Sequence, residues 1–222
     1  ITERKRLETQ REYENAILEA MASGAPQNEI LLRIVTAYQA MYPGMIPSIL
    51  RVSADGAHLG ACIGPGLPES YRLALEGIAI GPGMCSCGSA AWTRSPTVVA
   101  DIASDPLWRD YRDLALEHGL AACWSFPILD STGAPIGTFA QYYRDVRSPS
   151  GDEVAALERG SHLASLAIER ARVQDALAES EARFRRFYNE TPALLYSFDA
   201  GGRFAAVSDY WLLYTGYSRG EI

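Results

Sequence analysis

The sequence predicts an α+β fold in which an antiparallel sheet of five or six strands is covered by helices and flanked by two long helices. Three observations lead to this prediction. Short apolar and β-branched runs alternate with turn residues between positions 46 and 143. Apolar residues recur at helical spacing before this region, and a long uninterrupted helical pattern follows it. Strands grouped between helices are typical of an α+β domain.

The composition limits the possible functions. The 222-residue chain has 48% hydrophobic residues, enough for a hydrophobic core, and a net charge of -7. The negative charge argues against nucleic acid as a main partner, because phosphate binding requires a basic surface. No apolar run approaches the roughly 18 residues of a membrane helix, and the first residues lack a signal-peptide pattern. We therefore expect no direct membrane insertion and a cytoplasmic location.

Two helices are predicted at the N-terminal end. Residues 3–22 combine many charged residues with a thin apolar seam, which is typical of a surface or coiled-coil helix. The members of this seam are Leu7, Ile17 and Met21. The turn at 23–26 ends this helix, and Asn28 is expected to cap a second helix that ends at Tyr42-Pro43-Gly44.

The middle of the chain predicts a sheet. Strands at 46–52 and 57–63 are expected to form a hairpin around Asp55-Gly56, a strong turn signal. A short helix at 69–75 and a brief strand at 78–80 follow.

Another helix and strand come after the turn Gly81-Pro82-Gly83. They are predicted at 86–94 and, for the β-branched run, at 97–102. Asp105-Pro106 then begins a helix that ends at Gly119, because Asp suits the N-cap and Pro the first helical position.

Strands at 121–129 and 135–143 pair across a turn at 130–133, and one long helix is predicted from 151 to 188. The apolar seam of this helix fits one a/d register, interrupted by Arg170 and Ser180. It comprises Leu163, Leu166, Val173, Leu177, Phe184 and Phe187. One small domain cannot cover so long a helix, so we expect a parallel homodimer through the flanking helices.

A new domain is predicted after Thr191-Pro192, which ends the long helix. It begins with strands at 194–198 and 204–207 and a short helix near Tyr210. This segment is too short to bury a core alone. Together with the missing initiator methionine, it leads us to expect a piece of a longer protein.

The segment CSCGSAAWTRSPTVVADIASDPLWRDYRDLALEHGLAACWSFPI, followed by GTFAQYY, resembles a GAF domain of bacterial sensory histidine kinases and diguanylate cyclases. The resemblance extends from about Gln27 to Arg170. The N-terminal ITERKRLE is similar to the end of a PAS domain, and ESEARFRRFYNETPALLYSFDAGGRFAAVSDYWLLYTGYSRGEI is similar to the first half of another. The implied domains are a signalling helix at 1–24, a GAF domain at 25–170, a coiled-coil linker at 171–188 and a truncated PAS start at 189–222.

The resemblance implies a sensory module of a bacterial multidomain protein, without catalysis by this chain. A small ligand or a redox change would act on a pocket between Gly83 and Tyr143, and the helices would relay it to an output domain outside the chain. That output domain would be a histidine kinase, a diguanylate cyclase or a phosphodiesterase. The residues expected to line the pocket are Cys85, Cys87, Trp108, Tyr111, Cys123, Ser125, Gln141 and Tyr143.

Two other interpretations of the domain's function remain open. Some GAF proteins are free methionine sulfoxide reductases with a catalytic cysteine in a glycine-flanked turn, which Cys87-Gly88 matches. Those enzymes hold their substrate with acidic residues, whereas the corresponding stretches at 122–125 and 139–142 have none. The domain could also be a spacer with a collapsed pocket.

No cofactor is assigned from the sequence, and the ligand is unknown. The three histidines stand alone, no NKFDE-like set typical of cyclic-nucleotide binding is present, and Cys123 lacks the neighbouring histidine expected for bilin attachment. No metal site is assigned either, because the cysteines form no CxxC pair. Four cysteines without a secretion signal are expected to be reduced thiols.

Overall fold

The computed structural model describes residues 3–222, with side chains from Glu8 onward. The chain divides into two compact units, Ile1–Ala171 and Arg172–Ile222. The first unit has the predicted α+β fold, with an antiparallel sheet and flanking helices. No helix within the described residues is long and apolar enough to cross a membrane. The seam position Leu7 lies outside the described side chains.

The sheet of the first unit has five strands in the order β2-β1-β5-β4-β3. The strands are β1 (Ile46–Val52), β2 (Leu59–Ile63), β3 (Thr97–Val99), β4 (Ala122–Leu129) and β5 (Pro135–Tyr143). Every pair of neighbours is antiparallel. The two longest strands, β4 and β5, are neighbours. Nearly all of their residues are buried, so both faces of this hairpin are covered by other elements.

Helices cover both faces of the sheet. They are α1 (Glu3–Ala22), α2 (Gln27–Met41), α3 (Glu69–Leu75), α4 (Cys85–Thr93), α5 (Arg112–Glu117) and α6 (Gly151–Glu190), with a 3₁₀ turn at Pro106–Trp108. Gly160 lets α6 approach the sheet closely, because a Cβ at this position would lie 2.5 Å from a ring atom of Phe139. Tyr38 of α2 donates a hydrogen bond to the carbonyl of Ala156, which joins α2 to α6.

Two hydrophobic cores lie on opposite faces of the sheet. The helix-side core packs α1, α2 and α6 against residues such as Ile49, Trp124, Phe139 and Tyr143. The lid-side core packs α3, α4, the 3₁₀ turn and α5 against the other face. Its sheet residues are Leu50, Leu59, Cys62, Val99, Cys123, Ala140 and Tyr142. Neighbouring residues of one strand therefore belong to different cores, as the two-residue period of a strand requires.

Several local predictions are corrected. Asn28 does not cap α2: the helix begins one residue earlier, and the carbonyl of Pro26 accepts from the amide of Ile30. The expected strand at 78–80 is reduced to an isolated bridge between His58 and Ala79, and β2 begins only at Leu59.

The predicted helix between Asp105 and Gly119 is two elements. Asp105 caps the 3₁₀ turn as expected, accepting from the amide of Leu107 at 2.9 Å. Residues 109–111 form turns, in which the amide of Tyr111 donates to the carbonyl of Trp108, and α5 begins at Arg112. The strand expected at 97–102 ends at Val99, so β3 is short.

The second unit contains the end of α6, a two-stranded sheet and a short helix. Strands β6 (Tyr196–Phe198) and β7 (Phe204–Val207) pair antiparallel, and α7 (Asp209–Thr215) follows. Ser208 caps α7 by accepting from the amide of Trp211 at 3.2 Å. The strand expected at 194–198 is shorter at its start. The assignment of this segment to a PAS domain stays a prediction.

Candidate functional site

Helix α4 presents the cysteines to the lid-side core. Its first residue, Cys85, has a positive φ of 40°, a conformation that costs strain for a residue with a side chain. Gly88 lies against the 78–80 segment, and a Cβ there would be 2.4 Å from the carbonyl oxygen of Ala79. The absence of a side chain at Gly88 thus allows the close packing that buries Cys85 and Cys87.

Three thiols meet in this core. Cys85, Cys87 and Cys123 are free and buried, and the thiols of Cys85 and Cys123 both interact with that of Cys87. Hydrogen bonds from these two thiols, the Cys123 bond being the strongest influence, hold the pKa of Cys87 well below its usual range. Donation to Cys87, followed by burial, raises the pKa of Cys85, whereas burial, followed by donation to Cys87, raises the pKa of Cys123. Cys87 is therefore the thiol of this cluster that ionises first.

Trp108 is tied to α4 and to β4. Its indole Nε1 donates to Ser86 Oγ at 3.0 Å, and Ser86 Oγ donates to the carbonyl of Cys123 at 3.2 Å. The indole also meets the ring of Tyr142 edge-on, with centroids 6.4 Å apart. This chain of contacts fixes the 3₁₀ turn over the cysteine cluster.

Several buried hydroxyls on the lid side of the sheet make no hydrogen bond of normal geometry, although those of Ser125 and Tyr142 lie close enough to the Cys87 thiol to lower its pKa. They belong to Ser48, Tyr71, Ser125, Thr138 and Tyr142. Buried polar groups in proteins are nearly always paired, so such a group of orphaned hydroxyls is unusual. Of these residues, only Ser125 is among the eight that the sequence predicts to line the pocket. The pairing of Cys123 with Tyr142 across β4 and β5 would have pointed to Tyr142, had the register been known.

The structure does not bring all eight sequence-predicted residues together. Cys85, Cys87, Trp108 and Cys123 are members of the lid-side core, Ser125 lies on the same face of β4, and Tyr111 packs at its edge. Gln141 and Tyr143 lie on the opposite face of the sheet, because they alternate with Ala140 and Tyr142 along β5. Gln141 and Tyr143 therefore do not face the same side of the sheet as the other predicted residues, and the prediction that all eight line one pocket is wrong for these two.

The two displaced residues have contacts of their own. The amide of Gln141 donates to the carbonyl of Phe139 at 3.3 Å. The ring of Tyr143 lies 4.5 Å from that of Trp124, and the guanidinium of Arg147 lies 4.4 Å above the Tyr143 ring. Gln141 therefore bonds to the backbone of its own strand, and Tyr143 packs in the helix-side core.

A surface cleft of about 290 Å³ lies between β4 and α6. Arg94, Phe126, Ser161 and His162 are among its lining residues. None of the eight predicted residues lines it. Among residues 3–222, no group of three or more His, Cys, Asp or Glu side chains is placed to hold a metal ion.

Comparisons with known proteins agree with this fold. The GAF domain family matches residues 27–169. A sensor from Methanosarcina acetivorans, the methyl sulfide methyltransferase-associated sensor, is 35% identical over the whole chain. The chain spans only 22% of the length of that relative.

Solved structures show the same fold at low identity. A putative GAF sensor protein from Burkholderia vietnamiensis superposes with a TM-score of 0.61 at 17% identity, covering 75% of this chain and 98% of the other. A domain of a putative two-component sensor histidine kinase from Sinorhizobium meliloti 1021 gives 0.56 at 23% identity, covering 68% and 95%. The fRMsr of Staphylococcus aureus in its reduced form gives 0.57 at 15% identity, covering 73% and 94%.

Proposed function

Because the chain belongs to the GAF domain family, we propose that it is the sensory module of a multidomain signalling protein. A small molecule or a redox change acts on the lid-side core, and the flanking helices relay the change to an output domain beyond this chain. The observation that supports this most is the architecture of the central hairpin. Strands β4 and β5 face the cysteine cluster on one side and the helix-side core on the other.

The relay starts from adjacent residues of the same strands. Cys123 and Tyr142 face the lid side, while their chain neighbours Trp124 and Tyr143 pack against the helices. A shift of the backbone of β4 or β5 on the lid side thus moves side chains on the helix side. Close-packed interiors transmit such shifts, because they leave little free volume to absorb them.

Arg147 connects this hairpin to α6. Its guanidinium lies over the rings of Trp124 and Tyr143 and pairs with Glu153 in the first turn of α6 at 2.8 Å. The carbonyl of Arg147 accepts from the Trp124 indole at 3.2 Å. The start of α6 is therefore held directly by the strands that border the sensory core.

A second copy of the chain would cover the exposed apolar seam of α6. This helix has 40 residues, and beyond residue 171 its apolar seam is exposed. The exposed fractions are 68% for Val173, 60% for Leu177, 64% for Phe184 and 65% for Phe187. These exposed apolar residues fit one a/d register, which only Ser180 interrupts beyond residue 171, and such a register favours a parallel coiled coil. In the proposed dimer, rotation or sliding of the paired helices transmits the signal.

The proposed function also includes the type of output domain and the cellular location. A histidine kinase, a diguanylate cyclase or a phosphodiesterase would follow in the same polypeptide, acting in the cytoplasm. The similarity to a sensor from Methanosarcina acetivorans, of which this chain spans about a fifth, is in keeping with a multidomain protein.

A second candidate function is reduction of free methionine sulfoxide at Cys87. The lowered pKa of Cys87 favours it, since the thiolate is the nucleophilic form. Against it, the lid-side residues of β4 and β5 are Cys123, Ser125, Thr138, Ala140 and Tyr142, and none is acidic. Turnover of methionine sulfoxide with a thiol reductant, lost in Cys87→Ser, would establish this activity; no turnover by the intact chain would exclude it.

The oligomeric state tests the sensory proposal. Sedimentation of the chain at tens of micromolar should show a dimer, and Leu177→Glu should convert it to a monomer. Ala178→Glu is the matched control, because Ala178 is exposed on α6 but lies outside the seam. A monomeric chain, or equal effects of the two substitutions, would refute the relay through paired helices.

A further inference from the structure

The shortness of β3 leaves part of β4 without a neighbouring strand. β3 lies at the edge of the sheet and has three residues, which pair with β4 from Thr97–Ser125 to Val99–Cys123. Beyond Ser125, no strand of the described chain pairs with residues 126–129 on that side. The surface cleft of about 290 Å³ lies there, between the end of β4 and α6.

Much of the lining of this cleft is apolar. Phe126, Pro127 and Leu129 of β4 contribute to it, together with Pro96 just before β3. Phe126 and α6 belong to the helix-side core, so the cleft is on the opposite face of the sheet from the cysteine cluster. Small-molecule sites usually have volumes of about 300–1,000 Å³ and a mostly apolar lining, so this cleft suits a very small ligand with an apolar part.

Two side chains of opposite charge line the cleft without pairing. Arg94 follows the last residue of α4, and Glu158 belongs to α6. Both are exposed, and neither forms an ion pair with the other or with any residue whose side chain the structure describes. A ligand with a single charge would be attracted by one of them and repelled by the other. A ligand that carries one charge of each sign is attracted by both.

The α6 side of the cleft adds polar groups. Ser161 lines the cleft and is 7% exposed, and its hydroxyl makes no hydrogen bond within the described chain. Ser165, one turn later, differs because its hydroxyl donates to the carbonyl of Leu129 at 2.6 Å. His162 is the third ionisable side chain of the lining and can donate or accept a hydrogen bond. The hydroxyl of Ser161 and the ring of His162 thus supplement the two charges.

From this arrangement we propose that the cleft binds a free α-amino acid with an apolar side chain. Arg94 binds the carboxylate, since a guanidinium donates two parallel hydrogen bonds to such a group, and Glu158 binds the ammonium. The side chain of the ligand lies on the apolar lining formed by residues 126–129 and Pro96. This site is separate from the lid-side core and goes beyond the sensory function proposed above.

Derivatives of one amino acid test the need for both charges. L-Leucine carries both at neutral pH, whereas N-acetyl-L-leucine lacks the ammonium and L-leucinamide lacks the carboxylate. Binding to the whole chain is measured by chemical-shift titration at neutral pH and low salt, because salt screens exposed charges. L-Leucine should bind saturably and at least about fivefold more tightly than either derivative. Glycine, which has both charges but no side chain, should also bind more weakly than L-leucine.

Charge-removing substitutions assign each group of the ligand to its partner. Arg94→Gln should weaken binding of L-leucine at least about fivefold but leave L-leucinamide unaffected, because this derivative has no carboxylate. Glu158→Gln should weaken L-leucine similarly but leave N-acetyl-L-leucine unaffected. Arg109→Gln and Glu117→Gln are the matched controls, since both residues are exposed and lie outside the cleft. Neither control should change the affinity for L-leucine.

The position of the shifts gives an independent check. They should centre on residues 94–96, 126–129 and 158–165, which contain the lining of the cleft. Shifts centred on the cysteine cluster would place the amino acid in the lid-side core and would overturn the proposal.

Three other results would also overturn it. They are no saturable binding of L-leucine, equal affinities for L-leucine and its two derivatives, and equal weakening by Arg94→Gln and Arg109→Gln. None of them bears on the helix relay, which depends on the sedimentation of the Leu177→Glu and Ala178→Glu variants. A dimer that does not bind L-leucine would therefore reject the amino-acid site and keep the sensory function.

Discussion

Trp124 and Arg147 make two contacts with each other, a hydrogen bond and a cation–π contact. The indole Nε1 of Trp124 donates to the carbonyl of Arg147 at 3.2 Å, and the Arg147 guanidinium lies 5.2 Å from the centre of the indole ring. The same guanidinium pairs with Glu153, whose side chain is only 13% exposed. This pair of residues links strand β4 to the first turn of α6.

Replacing Arg147 by alanine should lower the free energy of unfolding by about 1–3 kcal/mol, since a partly buried ion pair and two cation–π contacts are lost. Urea unfolding of the chain measures the change. Arg109→Ala is the control, because Arg109 is exposed and surface substitutions change stability by about 0.5 kcal/mol or less. Equal effects would mean that Arg147 does not hold α6 to the sheet.

Local sequence signals were sufficient for many elements. The bounds of β1, α3 and β5 agree with the predictions, because turn residues and apolar periodicity mark their ends within a few positions. The start of α2 was misjudged at Asn28, since the carbonyl of Pro26 already begins the helical hydrogen bonding. Such a boundary depends on one backbone bond, which residue types alone do not determine.

The site was only partly predictable, for a physical reason. Most residues of β4 and β5 are buried whichever way they point, because both faces of the sheet are covered. Alternation of polar and apolar residues, which normally identifies the buried face, is therefore missing. The sequence placed Gln141 and Tyr143 in the pocket, whereas it is Tyr142 that lies beside Cys87.

The close approach at Gly88 predicts a sharp effect of one methyl group. In Gly88→Ala the new Cβ would overlap the carbonyl of Ala79, so α4 must shift, at a cost of about 1–3 kcal/mol. Gly151→Ala at the start of α6 is the matched control, because nothing lies within 4 Å of its Cβ position. Chemical unfolding of both variants gives the comparison, and a Gly88→Ala protein as stable as the control would contradict the packing described here.

Ser86 and Ser89 of α4 allow a paired test of buried hydrogen bonds. Ser86→Ala removes the acceptor of the Trp108 indole, and an unpaired buried donor costs about 1–3 kcal/mol. Ser89→Ala should leave stability unchanged or higher, because the Ser89 hydroxyl has no partner. Thermal unfolding followed by tryptophan fluorescence distinguishes the two. If Ser89→Ala were the more harmful substitution, the assigned bond of Trp108 would be wrong.

The buried thiol of Cys62 predicts a loss of stability in alkaline solution. Burial raises the pKa of Cys62 from 9.0 to about 12, so the unfolded chain releases this proton first as the pH rises. The unfolded state then binds fewer protons, and the free energy of unfolding falls between about pH 9 and 12, by about 1.4 kcal/mol at pH 10.

Cys62→Ala should be less stable at pH 7, because the packing of the sulfur is lost, but its free energy of unfolding should depend less on pH between pH 8 and about 10. The buried tyrosines, whose pKa values are also raised, add their contribution above about pH 10 in both proteins. Urea unfolding at half-unit steps of pH measures both slopes, and parallel curves for the two proteins would show that Cys62 does not stay protonated in the folded chain.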